Sequence, residues 1–500
     1  MQDKPIINIE VATTWIRIKA TRYGDIGGIN VGDFTRNTLQ EREWQPRFHT
    51  LIVTARYTYY DQTTGYAYMP RYALSAFMEY LEGYDCVVNL LQIDPVNAAH
   101  RRMKMKPSFA PKPNQVEAID FCTDMKSGFK PLALQTGFGK TVVAIAAMCK
   151  LQTTTLIVLP MLINQWYGSI KQFTTISPDD IYVIKGFDSL ELLWEGIKNG
   201  FRPKVLLCST RTLAMYAINP TVPYNQLPSY SKLQKRLGIG LKIIDECHMN
   251  FNTNAQIDFL SNIQTNIYLS ATYQRSSTQG KRIFNMYFPS ELKFGEDMVT
   301  KYTTVQIAQY RLCIPVRDVQ RFKTQKGYNH ARYEAYLIKH KRTLNTFMDD
   351  VVSTLINSYF INLCKPGQHC LILVSTKQFA EVIYDLVKSH YPDKTVGLFF
   401  SGDAEYGKEE NLKQDLIVST IKSCGTGRDI KGLKTCINTV SFGSEPLAAQ
   451  VMGRLRQIPG EETIFVDIWN DEIPQHRYHI ASRIEVYKNK AAKLYEFVLR

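Results

Sequence analysis

Between Leu132 and about Leu292 the chain repeats one pattern. Short, almost wholly apolar runs (LALQT, TLIVLP, IYVIKG, VLLCST, LKIIDE and NIYLSAT) alternate with amphipathic stretches such as MLINQWYGSIKQF and SLELLWEGIKN. A short run that is apolar at every position suits a strand covered on both faces, and the amphipathic stretches suit the covering helices. Strand and helix in strict alternation predict a doubly wound parallel sheet. The stretch AINPTVPYNQLPSYSKLQKRLG breaks the pattern with three prolines and is expected to be a surface loop.

The alternation starts again at about residue 329. A long helical region, ARYEAYLIKHKRTLNTFMDDVVSTLINSYF, precedes CLILVS, QFAEVIYDLVKSH, TVGLFFSGD, DLIVSTI, CINTVSFG, LAAQVMGRLRQI and TIFVDIW. This predicts a second parallel lobe over residues 329–475. Residues 1–108 differ from both, with alternating β-rich runs (INIEVATTWIRIKA, HTLIVTARYTYY), turn residues and one helical patch, and they read as a small N-terminal α+β accessory domain. The fold class is therefore α/β, two tandem parallel-sheet lobes behind a small α+β domain. The first lobe spans 109–300, and residues 301–328 are expected to form the crossing between lobes. Residues 476–500 are expected to form one basic amphipathic helix. HRRMKMKPSFAPKPN, from His100 to Asn114, is basic, proline-bearing and aperiodic, and reads as a linker.

Composition changes this picture in two ways. Apolar residues make up 45% and charged residues 21%, ordinary for folded domains, but the net charge of +14 favours a polyanionic partner. In residues 1–108 arginines and aromatics interleave (Arg42, Trp44, Arg47, Phe48, Arg56, Tyr57, Tyr59, Tyr60, Arg71), a mixture that can hold phosphates and stack on bases, so an accessory DNA-binding domain is expected, although any single one of these residues is more readily core. The ten cysteines form no CxxC pair and no metal spacing, which suits buried thiols in a reducing compartment. With no apolar stretch of about 18 residues and no signal peptide, a soluble cytoplasmic protein is expected.

The chemistry centres on LALQTGFGKTVVAIAAM, from Leu132 to Met148. A strand, a glycine-bearing loop and a helix make a phosphate cradle: Thr136, Gly137 and Gly139 shape the loop, and the first N–H groups of the helix face the phosphates. Lys140 would reach the β- and γ-phosphates and Thr141 would hold Mg²⁺. The strict pattern has glycine where Leu134 stands. Gln115, upstream at a helix start, could present its amide to an adenine edge. In LKIIDECHM the apolar strand delivers Asp245 and Glu246 to its carboxyl end, where ligands bind in such sheets. Asp245 can hold Mg²⁺ through water, and Glu246 can act as general base toward the attacking water. His248 could couple this site to Ser270-Ala271-Thr272, or be a surface histidine. The second lobe has no phosphate loop. It offers SCGTGRDI (Ser423 to Ile430) and QVMGRLRQ (Gln450 to Gln457), in which Arg454, or failing that Arg456, suits an arginine finger. The plainer alternative is two surface arginines on a helix face.

In this order Gln115, QTGFGKT, TLIVLPMLINQW, VLLCSTRTL, DECH, SAT, CLILVSTKQ, GTGRD and QVMGRLRQ resemble the superfamily-two helicases over residues 110–470. LQTGFGKT is similar to the LPTGAGKT form of the XPB and UvsW group. RFHTLIVTARYTYYDQTTGYAYMPRYALSAFMEYLEGYDCVV is similar to the small domain ahead of the motor in UvsW-type phage recombination helicases. The resemblance implies two RecA-like lobes that close on ATP and walk on a DNA strand. It implies Lys140, Thr141, Asp245 and Glu246 at ATP and Mg²⁺, Gln115 near adenine, Ser270 and Thr272 in coupling, and Gly427, Asp429, Gln450 and Arg454 on the interlobe side. The last motif departs from the family, with Gln457 in the place of its second arginine. The expected activity is an ATP-dependent DNA helicase or translocase acting on branched or recombination intermediates. It is expected to be a monomer, and in the host cytoplasm if phage-encoded. The alternatives are an RNA or RNA–DNA hybrid helicase, a translocating restriction subunit, and an ATP-gated nucleic-acid clamp.

Overall fold

The computed structural model describes residues 4–499 except 21–24, 27, 46–49, 136, 161–162, 219–226, 272, 274–277, 296–300, 326, 402, 404–405, 408 and 425–429. The chain divides into two compact units, Met1–Met298 and Val299–Arg500.

The first unit holds two sheets and a hairpin. Strands β1 (Ile6–Val11), β2 (Trp15–Lys19), β5 (Tyr59–Asp61), β6 (Tyr66–Pro70) and β7 (Val87–Gln92) form a mixed sheet in the order β5-β6-β2-β1-β7. The hairpin pairs β3 (Gln40–Gln45) with β4 (Thr50–Arg56). The second sheet contains β8 (Phe129–Ala133), β9 (Thr154–Leu159), β10 (Ile181–Ile184), β11 (Val205–Ser209), β12 (Ile239–Ile244) and β13 (Thr265–Ser270). Its order is β8-β13-β12-β9-β11-β10 and every pairing is parallel, as the apolar runs predict. All six residues of β9, β12 and β13 are buried, because helices cover both faces.

The N-terminal sheet and the first parallel sheet share one continuous apolar core that includes Ile9, Trp15, Ile16, Tyr57, Phe77, Phe129, Phe251 and Tyr268. The Tyr57 ring lies 4.9 Å from that of Phe251, and Tyr72 lies 5.0 Å from Phe129. The Trp15 indole donates to the Ser261 carbonyl at 2.7 Å, and Thr13 Oγ1 donates to Asn262 Oδ1 at 3.2 Å. Of the interleaved aromatics Tyr57 is therefore core and Tyr59 packs against that core; Trp44 on the hairpin is exposed, and Arg47 and Phe48 lie outside the described residues.

Three sequence expectations need correction here. The stretch from His100 is laid along the parallel sheet rather than solvated as a tether: Arg101 N donates to the Gln152 carbonyl, Lys106 N to the Phe173 carbonyl, and Met103 is buried. The proline-rich insert ends in a helix, Tyr230–Leu237, because Ser229 caps it and Tyr230, Leu233 and Leu237 share a buried face. Residues 303–310, strand-like in sequence but placed in the crossing, are a strand of the second unit.

That second unit is a seven-stranded parallel sheet. Its strands are β14 (Thr303–Tyr310), β15 (His369–Val374), β16 (Val396–Phe399), β17 (Leu416–Thr420), β18 (Leu433–Asn438), β19 (Thr463–Asn470) and β20 (Lys493–Val498), in the order β16-β17-β15-β18-β19-β14-β20. β14 pairs with β19 along its whole length. The last helix stops at Lys490, and the chain closes with β20 on the β14 edge instead of continuing as a helix. The region 330–361 is helical but broken after Lys339, with π-helical turns at Phe347–Ser353 and Asn357–Ile361.

Candidate functional site

Parallel neighbours end on the same side, so the order β8-β13-β12-β9 brings four loops together at one edge of the first parallel sheet. β8 leads through Leu134 into the phosphate loop. Gly139 caps the helix Lys140–Leu151 at φ 92°, and a Cβ there would stand 2.6 Å from Gln115 Nε2. Only glycine fits both the left-handed backbone and that close approach. Gln115, in the helix Pro113–Thr123, donates from Nε2 to the Phe138 carbonyl at 2.8 Å and accepts from Lys112 N at 3.0 Å. It thus braces the loop from outside. Lys140 Nζ donates to the Leu134 carbonyl at 3.2 Å, turned back over the loop it would serve. Gly137 also has φ 92°, Thr141 is half-buried in the first helical turn, and Thr136 lies outside the described residues.

β12 delivers Asp245 and Glu246. Asp245 N donates to the Val158 carbonyl of β9 and Cys247 N to the Leu269 carbonyl of β13, so the acid pair is pinned between the two neighbouring strands. Asn254 Nδ2 donates to the carbonyls of Cys247 and Met249 and holds the following turn. Glu246 has φ 45°, a backbone region that residues with a Cβ rarely adopt. Its Oε2 is buried without a hydrogen bond, 3.4 Å from His248 Nδ1. His248 Nδ1 is also 2.8 Å from Ser270 Oγ, at the end of β13. His248 is buried rather than a surface histidine, and the proposed coupling residues His248 and Ser270 meet; Thr272 lies outside the described residues. Burial, with the neighbouring Glu246 second, raises the Asp245 carboxyl to about 6; the Trp166 hydrogen bond and the charge of Lys140 oppose this. An electropositive partner at this carboxylate would relieve its desolvation.

A nucleoside triphosphate with Mg²⁺ fits this set: a glycine cradle, a lysine turned over it, a half-buried carboxylate held above its usual range, and a second carboxylate with an unsatisfied oxygen. Lys140 and the opening N–H groups would hold phosphate, Thr141 and Asp245 the metal. Bound there, Mg²⁺ would neutralise phosphate charge.

In the second unit the helix Glu445–Met452 ends at Gly453, so Arg454 and Arg456 follow the helix rather than line a solvated face of it. Arg454 is 6% exposed, whereas Arg456 is half-buried and donates to the Gly453 carbonyl. Gln450 lies on the same helix and is half-buried; Gly427 and Asp429 lie outside the described residues.

The family described as "Type III restriction enzyme, res subunit" matches residues 108–275, which span the phosphate loop, the acid pair and Ser270. "Putative helicase 161L" of Invertebrate iridescent virus 6 is 25% identical over 400 residues, covering 74% of this chain and 78% of its own. Over residues 108–275 the chain matches that family, and over 400 residues it is similar to a putative helicase. The fold is similar to that of the ATP-dependent type ISP restriction-modification enzyme LlaBIII bound to DNA, with TM-score 0.51 and 11% identity over 85% of this chain and 34% of that one. It also aligns with T4 UvsW at TM-score 0.37 and 14% identity, over 99% of this chain and 100% of that one.

One residue of this site is not legible in the sequence. Trp166, on the helix Ile163–Phe173, is 2% exposed and donates from Nε1 to Asp245 Oδ2 at 2.8 Å. In the sequence it is one apolar position of an amphipathic helix. Nothing local separates it from core, because its partner is 79 residues away.

Proposed function

We propose that this protein is an ATP-driven DNA helicase or translocase that remodels branched or recombination intermediates in replication and repair, by fork regression, branch migration and unwinding. The observation that carries the ATP half of the reading is the convergence of Lys140, Asp245, Glu246 and the His248–Ser270 contact on one edge of a parallel sheet. Lys140 binds and neutralises the terminal phosphates, Asp245 and Thr141 hold Mg²⁺, and Glu246 takes the proton of the attacking water. His248 and Ser270 relay the state of that carboxylate to the end of β13. Gln115 keeps the phosphate loop in shape while reading the adenine edge. Arg454 is proposed as the arginine finger, with Arg456 second, and Gly427, Asp429 and Gln450 as further nucleotide-side residues.

The DNA half rests on the net charge of +14 and on the UvsW-type resemblance of the motifs and of the segment ahead of them. Phosphate contacts supply sequence-independent grip on a strand. The test is unwinding and branch migration on forks, four-way junctions, R-loops and plain duplexes in parallel, with RNA duplexes beside them. ATP-dependent remodelling of forks and junctions is expected. Activity confined to RNA duplexes would replace this reading with an RNA helicase, and nucleotide-dependent binding without any strand movement would replace it with a clamp.

A further inference from the structure

We propose that Trp166 is the positioning residue for the metal-holding carboxylate of this protein, a role that rests on the reading of Asp245 as the Mg²⁺ residue. Both oxygens of Asp245 are engaged. Oδ2 accepts the Trp166 indole N–H at 2.8 Å, and Oδ1 accepts the backbone N–H of Glu246 at 3.0 Å. Two donors fix the plane of the carboxylate, so its remaining lone pairs keep one direction. The backbone donor belongs to the same turn and moves with it. The indole comes from a different element, the helix after β9, and is the only side-chain donor to Asp245 found among the described residues. Trp166 is packed in the same core as Val143, Ala147 and Leu159, of which Val143 and Ala147 lie on the helix behind the phosphate loop. Its ring is therefore rigid, and a rigid donor on a carboxylate sets orientation and favours the ionised form. Partners of this kind typically carry about 10–100-fold in metal affinity or activity.

The ring also fills core, so the experiment must remove the N–H and leave the shape. Site-specific replacement of Trp166 by benzothienylalanine exchanges the N–H for sulfur at almost constant volume; Trp166→Phe serves as the simpler variant. Mn²⁺ binding in the presence of ADP, followed by the loss of the free Mn²⁺ EPR signal, is read beside ADP binding in EDTA, thermal unfolding and kcat. The proposal expects Mn²⁺ affinity and kcat to fall together by about tenfold or more, the lower edge of the partner effect, with metal-free ADP binding and the unfolding midpoint unchanged. A folded benzothienylalanine variant with wild-type Mn²⁺ affinity would overturn it and leave Trp166 as core. Asp245→Asn in the native Trp166 background separates the underlying reading: unchanged Mn²⁺ affinity there removes Asp245 from the metal site, and the proposal with it.

Discussion

At the scale of single residues, the site is built from groups held where they would not settle on their own. Glu246 combines a positive φ with an unsatisfied buried oxygen, a pairing that natural chains keep at working positions. Glu246→Gln keeps the size and loses the base, so turnover should fall by roughly 10²–10⁴ while ATP still binds; hydrolysis within a few-fold of wild type would remove Glu246 from that role. The arginines differ in burial, which ranks them. Arg454→Ala should lower kcat by roughly 10³ or more, the scale of arginine fingers, with little change in ATP affinity, and Arg456→Ala should be mild. Steady-state kinetics of the two variants decide the order. The carboxylate of Glu334 is buried in the second unit and accepts the N–H groups of Ser375 and Thr376 at 2.6 and 2.8 Å. Burial nevertheless raises it to about 7. The folded state therefore holds this proton more tightly than the unfolded chain, whose glutamate titrates near 4.3. Glu334 then favours folding most below that value, and the contribution is lost as pH rises through about 7. Denaturant midpoints measured from pH 4.5 to 8 should show this decline, and Glu334→Gln should flatten it.

At the scale of elements, the parallel strands and the phosphate loop are legible because their signals are local: an apolar run, a glycine turn, a helix start. The parts that misread depend on distant partners. β14 is strand-like in its own sequence, but nothing local says which sheet it joins; it lies inside the second sheet because β19, some 160 residues on, pairs with it. KLYEFV at the end follows a helix with no break strong enough to predict one, and it is the free edge of β14 that draws it into a strand. Of the N-terminal aromatics that could serve bases or core, Tyr57 is core against Phe251, and Trp15 and Tyr72 pack into the same core. The N-terminal sheet is thus a folding partner of the first parallel sheet. Deleting residues 1–96 would bare that core, where single large-to-alanine changes cost about 3–5 kcal/mol each. The truncated protein should aggregate or lose ATPase activity, as size-exclusion chromatography and an ATPase assay would report; a soluble, fully active truncation would contradict the shared core.

At the scale of the whole molecule, the proposed motor rests on the nucleotide edge and on a net charge of +14, which favours a polyanionic partner. Among the described residues no helix is long and apolar enough to cross a membrane. Six of the described cysteines are buried, in keeping with thiols used as small apolar side chains. The central claim is that hydrolysis at the Lys140–Glu246 edge is coupled to a bound nucleic-acid strand. It is tested most directly by steady-state ATP hydrolysis with and without single-stranded DNA, for the wild-type protein and Lys140→Ala side by side. The account predicts a rate that DNA raises several-fold in the wild type and that is absent in Lys140→Ala, although the variant still binds DNA without nucleotide. A variant that keeps near-normal DNA-stimulated hydrolysis would contradict it.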